Sequence, residues 1–298
     1  MSGFLFLRFA HGFSAGFTPT GTSAYVADTV PFAQRGEAMG IQSLFGSLGM
    51  AAGPALGGWI ASFWPIETLF YAAAFTAIFS ILILVRLKET LPQKEPFSLR
   101  LFKLDKNEIL EKRVLLPSTI LFLSVFSFGV VLTLIPDLSS FLGIKNKGLF
   151  FAVFTLSSLG IRLLAGRASD RVGRVKVMRV ASVVMVVAMI AVAFATSKTM
   201  LLGSAVLFGA AVGMYSPTTT AWVVDRSLEN YRGRALATMY IFLELGIGLG
   251  ALVSSWLYNN KPENFQIAFL FSAGVAFLGF LLLMFIKSDR KKSAELVA

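Results

Sequence analysis

Apolar runs of about 20 residues alternate with short charged segments along most of the 298-residue chain. An α-helix of that length crosses a bilayer core of about 30 Å. Helices also satisfy their backbone N–H and C=O groups internally, as lipid requires. The pattern therefore predicts an all-α, polytopic helical membrane protein with nine transmembrane helices. The predicted spans are 3–27, 36–61, 65–87, 115–136, 148–166, 175–196, 200–224, 235–258 and 265–287.

One long polar segment, rich in both charge signs, interrupts the apolar runs after the third span. It predicts an interdomain linker, which either lies on the membrane surface through its scattered Phe and Leu residues or is a solvated connector. The predicted organisation is a partial N-terminal bundle of three helices, a cytoplasmic linker, a C-terminal six-helix bundle and a cytoplasmic tail. These parts cover 1–87, 88–114, 115–287 and 288–298 respectively.

Composition and charge narrow the class further. With 14% charged residues against about 25% in typical soluble domains, the chain does not read as a soluble protein. Of its 27 Lys and Arg residues, 21 fall on the linker side of the predicted spans. The positive-inside rule makes that side cytoplasmic, with the C-terminus there. We expect the protein in the plasma membrane, which in bacteria is the inner membrane. The same rule also accounts for the net charge of +11 without a nucleic-acid partner.

The lack of Cys excludes a disulfide, covalent haem attachment and a thiolate metal site, and the single His argues against a His-based metal site. No cofactor is expected.

An internal repeat appears when the chain is shifted by 197 residues. Gly12, Gly16, Asp28, Arg35, Gly49 and Gly53 then fall on Gly209, Gly213, Asp225, Arg232, Gly246 and Gly250. The matched spans run in the same direction through the membrane, so the repeat is a parallel one that relates two bundles. Within its own bundle the second copy follows three spans, whereas no span precedes the first copy. We therefore expect a six-plus-six architecture whose first three helices are missing from this sequence.

A charged segment between the fifth and sixth spans carries the most specific motif. It reads Gly166-Arg-Ala-Ser-Asp170-Arg171-Val-Gly173-Arg174. The G-x-x-x-D-R-x-G-R spacing resembles a signature of the major facilitator superfamily. The resemblance covers essentially the whole chain as the last nine of twelve helices, and it implies alternating-access transport.

The residue types of this motif suit a contact between helix ends. Gly173 permits a tight turn, Asp170 accepts hydrogen bonds, and Arg171 and Arg174 present forked donors. The resemblance implies a conformational gate; the alternative is a turn enriched in Arg by membrane insertion alone. The repeat-related loops add four further candidate gating residues: Asp28, Arg35, Asp225 and Arg232.

A second motif lies in the second span. It comprises Gly49, Gly53, Pro54, Gly57 and Gly58. It resembles the G-x-x-x-G-P-x-x-G-G motif found in proton-driven antiporters of this superfamily, especially drug exporters. The alternative is generic close packing of a smooth helix face.

Four titratable residues are candidates for ion coupling or substrate binding. Charged groups within a span are costly and mark functional sites. Glu244, in the middle of the eighth span, is the leading candidate; the alternative is a neutral carboxyl bonded between helices. Arg8 either couples ions or extends to the interface. His11 is a candidate because imidazole groups commonly carry protons; the alternative is a histidine that is hydrogen-bonded within the protein. Asp137 lies at the outer end of the fourth span. Arg162 is assigned to the charged loop cluster.

These features predict a secondary active transporter. No nucleotide-binding G-x-x-x-x-G-K-[ST] is present, so an ion gradient is the expected energy source. The resemblance implies proton-coupled efflux of a small organic or amphipathic compound, with the bilayer, the substrate and protons as partners and no obligatory protein partner. Alternatives are an uptake carrier for a sugar or other metabolite, and a transport-inactive fragment or non-transporting membrane protein. The residues for an intramembrane enzyme are lacking.

Overall fold

A computed structural model describes residues 2–31, 35–88, 110–228 and 231–286 of the chain. Within these ranges the protein forms nine long α-helices and two short 3-10 helices, and no β-strand. The α-helices are α1 (Ser2–Thr29), α2 (Arg35–Phe63), α3 (Ile66–Leu84), α4 (Leu115–Phe141), α5 (Leu149–Val172), α6 (Arg174–Ala193), α7 (Lys198–Arg226), α8 (Arg232–Tyr258) and α9 (Phe265–Met284). The all-α prediction is confirmed, and each predicted span coincides with one helix. Most of the predicted linker and the predicted tail lie outside the described residues.

Six of the described helices are long and apolar enough to cross a membrane: α3, α4, α6, α7, α8 and α9. Helix α5 is a seventh candidate if its two segments, Leu149–Arg162 and Leu164–Val172, count as one span bent by 43°. Helices α1 and α2 have sufficient length but are less apolar, because glycine and hydroxyl residues interrupt them. A count of nine spans therefore stays a prediction.

The chain divides into two compact units. The first comprises Met1–Met50 and Glu67–Ser98, and the second comprises Ala51–Ile66 and Leu99–Ala298, so α2 contributes to both. In the first unit, α3 has no buried residue and presents its Phe, Ile and Leu side chains outward. Such side chains are stable against lipid tails, as expected of a membrane helix.

The second unit contains a continuous core of apolar side chains. Phe150, Phe208 and Phe269 are among its largest fully buried members. Helix α4 packs against α8 and α9, α5 against α7, and α6 against both α7 and α9. Lipid tails are as apolar as these side chains, so close packing and interhelical hydrogen bonds hold this bundle together.

Glycines set the closest helix contacts in the second unit. Two glycines of α7 lie so close to α5 that an added Cβ would collide with the carbonyl oxygen of Phe154 or Ser158. Two glycines of α8 lie equally close to α4, at the carbonyl oxygens of Phe122 and Phe126. The glycines concerned are Gly209, Gly213, Gly246 and Gly250. Their repeat partners Gly12, Gly49 and Gly53 have nothing within 4 Å of a built Cβ. The repeated glycines thus serve close packing in the second copy.

Candidate functional site

The charged motif ends one helix and begins the next. Helix α5 continues through Val172, Gly173 adopts φ +96°, and α6 starts at Arg174. This backbone conformation favours glycine, as the tight-turn prediction requires. The helix therefore extends beyond the predicted fifth span, which ends at residue 166. Gly166, Asp170 and Arg171 lie on the last turns of α5, where helical structure extends past the apolar run.

Arg174 joins three helices through its guanidinium group. Its Nε donates to Asp225 Oδ2 on α7 at 2.9 Å, and its Nη1 donates to Ser169 Oγ at 2.5 Å and to Asp170 Oδ1, both on α5. The side chain of Arg174 is 21% exposed, whereas those of Asp170 and Asp225 are 67% and 51% exposed. Exposed pairs contribute about 0–1 kcal/mol each, so the cluster orients the helix ends without locking them.

The repeat-related gate candidates are only partly described. Asp225 binds Arg174 within the second unit. Asp28, Arg35 and Arg232 lie on described helices, but their side chains lie outside the described part. Their gating role stays a prediction, as does that of Arg171, which is exposed.

The glycine–proline motif makes its close contact near the end of α2. A Cβ on Gly58 would collide with Asn146 Oδ1 and lie 2.5 Å from Gly148 N, and a Cβ on Gly148 would collide with Pro54 O. The Asn146 side chain is held in place because its Oδ1 accepts from Gly148 N at 2.9 Å. The connection between α4 and α5 therefore lies directly against the last turns of α2. Both parts belong to the second unit.

The other glycines of this motif differ in their surroundings. Gly49 and Gly53 have open space around a built Cβ, and Gly57 is half-buried. The close-packing interpretation is therefore supported at Gly58.

Glu244 lies near the middle of α8 and is exposed. It precedes Gly246 by two residues and so points away from the side of α8 that packs on α4. Among the described residues, its carboxylate makes no hydrogen bond and no ion pair. A carboxylate at this depth of a membrane helix is costly and is a functional candidate.

The remaining candidates are also exposed. Asp137 follows Pro136 inside α4, which continues to Phe141. Arg8 and His11 lie on α1, and the His11 carbonyl oxygen accepts from the Ser14 hydroxyl at 2.9 Å. Within the described ranges, no group of three or more His, Asp or Glu side chains has the arrangement of a metal site.

Arg162 contacts a neighbouring helix and not the charged loop cluster that the sequence predicts for it. Its Nη2 donates to Ser216 Oγ on α7 at 3.1 Å. The side chain is half-buried and lies on the same face of α5 as the buried Thr155 and Ser158. The sequence signal for this polar face is the spacing of its residues, because Thr155 and Ser158 lie seven and four residues before Arg162.

Further hydroxyl contacts lie inside the same unit. Tyr215 on α7 and Ser182 on α6 share a buried hydrogen bond, and Ser272 on α9 donates to Ser127 on α4 at 2.9 Å. Hydrogen bonds of this kind hold membrane helices in register.

Comparisons with known proteins place this geometry in a family. A model of the Major Facilitator Superfamily matches residues 1–148 and 117–297. The chain is 29% identical over 283 residues to the multidrug resistance protein MdtG of Klebsiella pneumoniae, covering 91% of the chain and 67% of that protein. It is 29% identical over 267 residues to the multi-drug resistance efflux pump PmrA of Streptococcus pneumoniae, covering 84% of the chain and 64% of that protein.

A solved structure shows the same fold. The human organic anion transporter MFSD10 matches with a TM-score of 0.60 at 20% identity, over 88% of this chain and 66% of that one. The chain thus spans about two thirds of the length of these three proteins. The family match extends over nearly the entire sequence, and on this evidence the chain belongs to the Major Facilitator Superfamily, a family of membrane transporters.

Proposed function

We propose that this protein couples the entry of protons to the efflux of a small organic or amphipathic compound. The observation that carries the proposal is the Glu244 carboxylate, exposed near the middle of a membrane helix. Family membership and the names of the multidrug relatives support transport of a small molecule.

A carboxylate at this position suits proton coupling. A carboxyl group that reaches water on one side of the membrane and then on the other can carry a proton between the two sides. Binding or release of one proton at Glu244 therefore changes a full charge at membrane depth, where the electrostatic cost is greatest. A carrier whose two states expose this group to opposite sides converts a pH gradient into directed movement.

Two contacts of the second unit suit the gates of such a carrier. The Arg174 cluster lies where α5 ends, and the contact of Gly148 with Pro54 lies where α5 begins. They therefore lie at opposite ends of one membrane helix. Because the exposed ion pairs contribute about 0–1 kcal/mol each, the bonds of Arg174 can break and re-form during transport. We assign the Arg174 end to the cytoplasm from the excess of basic residues there.

Reconstitution into proteoliposomes with an imposed pH gradient tests the proposal. The cargo is a panel of fluorescent amphipathic compounds that are cationic, neutral or anionic. We expect movement of at least one compound against the direction of proton flow, loss of that coupling in Glu244→Gln, and retention in Glu263→Gln. Glu263 is an exposed carboxylate in the short 3-10 helix before α9, outside the long helices.

Two results contradict the proposal. Movement of the compounds in the same direction as protons indicates uptake instead of efflux. Unchanged pH-driven movement in Glu244→Gln removes Glu244 from the mechanism.

A further inference from the structure

A basic cavity lies at the end of the second unit where α4 and α8 begin. Its volume is about 360 Å³, within the range of about 300–1,000 Å³ that is usual for small-ligand sites. Three of the five side chains around it are basic and one is acidic. The lining residues are Leu110, Glu111, Lys112, Arg113 and Arg234.

The cavity lies at the level of the lipid headgroups. Directly after Arg113, a run of 23 uncharged residues extends over 114–136 and ends before Asp137. At about 1.5 Å per residue this run spans about 35 Å, slightly more than a hydrocarbon core of about 30 Å. Lys112 and Arg113 therefore lie at the edge of the core, where the headgroup layer begins. On α8, Arg234 likewise directly precedes uncharged residues, which continue to 243.

The three basic side chains differ in how firmly the protein holds them. Lys112 is exposed, and within the described part of the chain its ammonium group makes no hydrogen bond and no ion pair. The Arg113 side chain is 54% exposed, and its Nη1 lies 3.9 Å from Glu111 Oε1, a long distance for an ion pair. Arg234 lies over the ring of Tyr231, with 4.5 Å from its Cζ to the ring centroid. Lys112 and Arg113 can therefore turn toward a ligand, while Arg234 forms a wall of the cavity.

Glu111 is fixed within its own segment. Its Oε1 accepts from Arg113 N at 3.3 Å and so caps the short 3-10 helix Lys112–Val114. Its backbone N donates to Thr238 Oγ1 on α8 at 2.9 Å, which attaches the segment to that helix. The carboxylate offsets one of the two cations beside it. Lys112, Arg113 and Glu111 together thus carry one net positive charge, without any contribution from Arg234.

Other basic side chains at this end of the unit serve the fold itself. Arg174 binds Asp225 on α7. Arg179 donates to Leu283 O and Ile286 O at 2.8–3.1 Å and so satisfies carbonyl groups at the end of α9. Within the described ranges, no contact of this kind accounts for the ammonium group of Lys112.

We propose that this cavity binds the phosphate group of an anionic phospholipid, with Lys112 and Arg113 as the contacting side chains. An ammonium and a guanidinium group donate charge-assisted hydrogen bonds to phosphate oxygens. Basic cavities at the cytoplasmic ends of membrane helices suit such headgroups, and the excess of basic residues assigns this end to the cytoplasm. Leu110, an exposed apolar side chain at the same cavity, suits the apolar part of a lipid better than a free phosphate ion. The site is independent of the proton coupling proposed for Glu244.

Local enrichment of lipid beside the cavity tests this inference. Because the chain has no Cys, Leu110→Cys accepts a single bimane label at the cavity. The full chain is placed in phosphatidylcholine nanodiscs with an equal small fraction of nitroxide-labelled phosphatidylglycerol or nitroxide-labelled phosphatidylcholine. The ratio of bimane quenching by the two labelled lipids reports the local preference. We expect phosphatidylglycerol to be enriched about fivefold or more, the factor for one net positive charge at a membrane surface.

Substitutions in the labelled protein assign the preference to the cavity. Lys112→Gln and Arg113→Gln are each expected to reduce the ratio to about one. Glu111→Gln keeps an oxygen that accepts from Arg113 N but removes the negative charge, and it is expected to raise the ratio about fivefold further. The matched control Lys176→Gln removes an exposed lysine near the start of α6 and should leave the ratio unchanged. A label at Leu252→Cys, an exposed position nearer the other end of α8, should give a ratio of about one.

Several results overturn the inference. They are equal quenching by the two lipids at Leu110→Cys, an equally high ratio at Leu252→Cys, an unchanged ratio in Lys112→Gln or Arg113→Gln, no rise in Glu111→Gln, and loss of the ratio in Lys176→Gln. Added glycerol 3-phosphate at millimolar concentration and constant ionic strength separates the two sources of phosphate. An unchanged ratio supports a lipid ligand, whereas loss of the ratio identifies a site for soluble phosphate and overturns the assignment to lipid.

Discussion

Two glycines in one turn of α8 allow a sharp test of helix packing. At Gly250 a built Cβ collides with the Phe126 carbonyl oxygen of α4 and lies 3.2 Å from Phe126 Cα. At Gly248 nothing lies within 4 Å. Replacement of either residue by Ala adds the same methyl group to the same helix. The two variants therefore differ only in whether that group meets the backbone of α4.

The expected magnitudes follow from two opposing effects. Ala is favoured over Gly in a helix by about 1 kcal/mol, and this gain applies to both positions. An added methyl in a filled contact costs about 1–3 kcal/mol, and a backbone neighbour cannot rotate away as a side chain can. We expect Gly248→Ala to be neutral or stabilising by up to about 1 kcal/mol. We expect Gly250→Ala to be destabilising by up to about 2 kcal/mol after the helix gain is subtracted.

The assay is unfolding of the purified protein by titration of sodium dodecyl sulfate into mild detergent, followed by circular dichroism. Gly129→Ala probes the same interface from α4, because its Cβ would collide with the Ile247 carbonyl oxygen. It should destabilise the protein as Gly250→Ala does. Equal free energies of unfolding for Gly248→Ala and Gly250→Ala would refute the assigned packing of α4 on α8.

Three further outcomes are expected. A double-mutant cycle of Arg174→Gln and Asp225→Asn should give a coupling energy below about 1 kcal/mol, and a much larger value in the same unfolding assay contradicts a loosely held cluster. Because the chain has no Cys, maleimide labelling of Asn146→Cys reports on the contact with α2; Gly58→Val should speed it, and an unchanged rate argues against that contact. Arg179→Gln should increase amide hydrogen exchange at the end of α9, and unchanged exchange shows that its carbonyl contacts are dispensable.

The membrane helices could be predicted because the length of an apolar run must match the thickness of the bilayer. The end of α5 could not be predicted in this way. Hydropathy marks where contact with lipid stops, whereas this helix continues into water. Arg167, Asp170 and Arg171 are compatible with a helix until Gly173 turns the backbone. A span drawn from hydropathy is therefore shorter than its helix where charged residues extend the helix into water.

The candidate site was predictable only in part. The motif spacing identified Arg174 and Gly58 as important positions, but their partners are distant in sequence. Nothing local indicates that Asn146 lies against Gly58 or that Arg162 reaches Ser216. Such contacts depend on which helices become neighbours. The internal repeat points to close helix packing only where its matched glycines lie, on α7 and α8.

The pairing of α4 with α8 also has a consequence for biosynthesis. Helix α4 leaves the ribosome long before α8, although Phe126 and Gly250 are close neighbours in the folded unit. During that interval the glycine-bearing side of α4 has no protein to cover it and must rest against lipid or an insertion factor. Long-range contacts of this kind delay folding and leave exposed intermediates. The last helices thus complete the bundle, and the pace of translation between α4 and α8 determines how long the nascent protein remains vulnerable to membrane proteases.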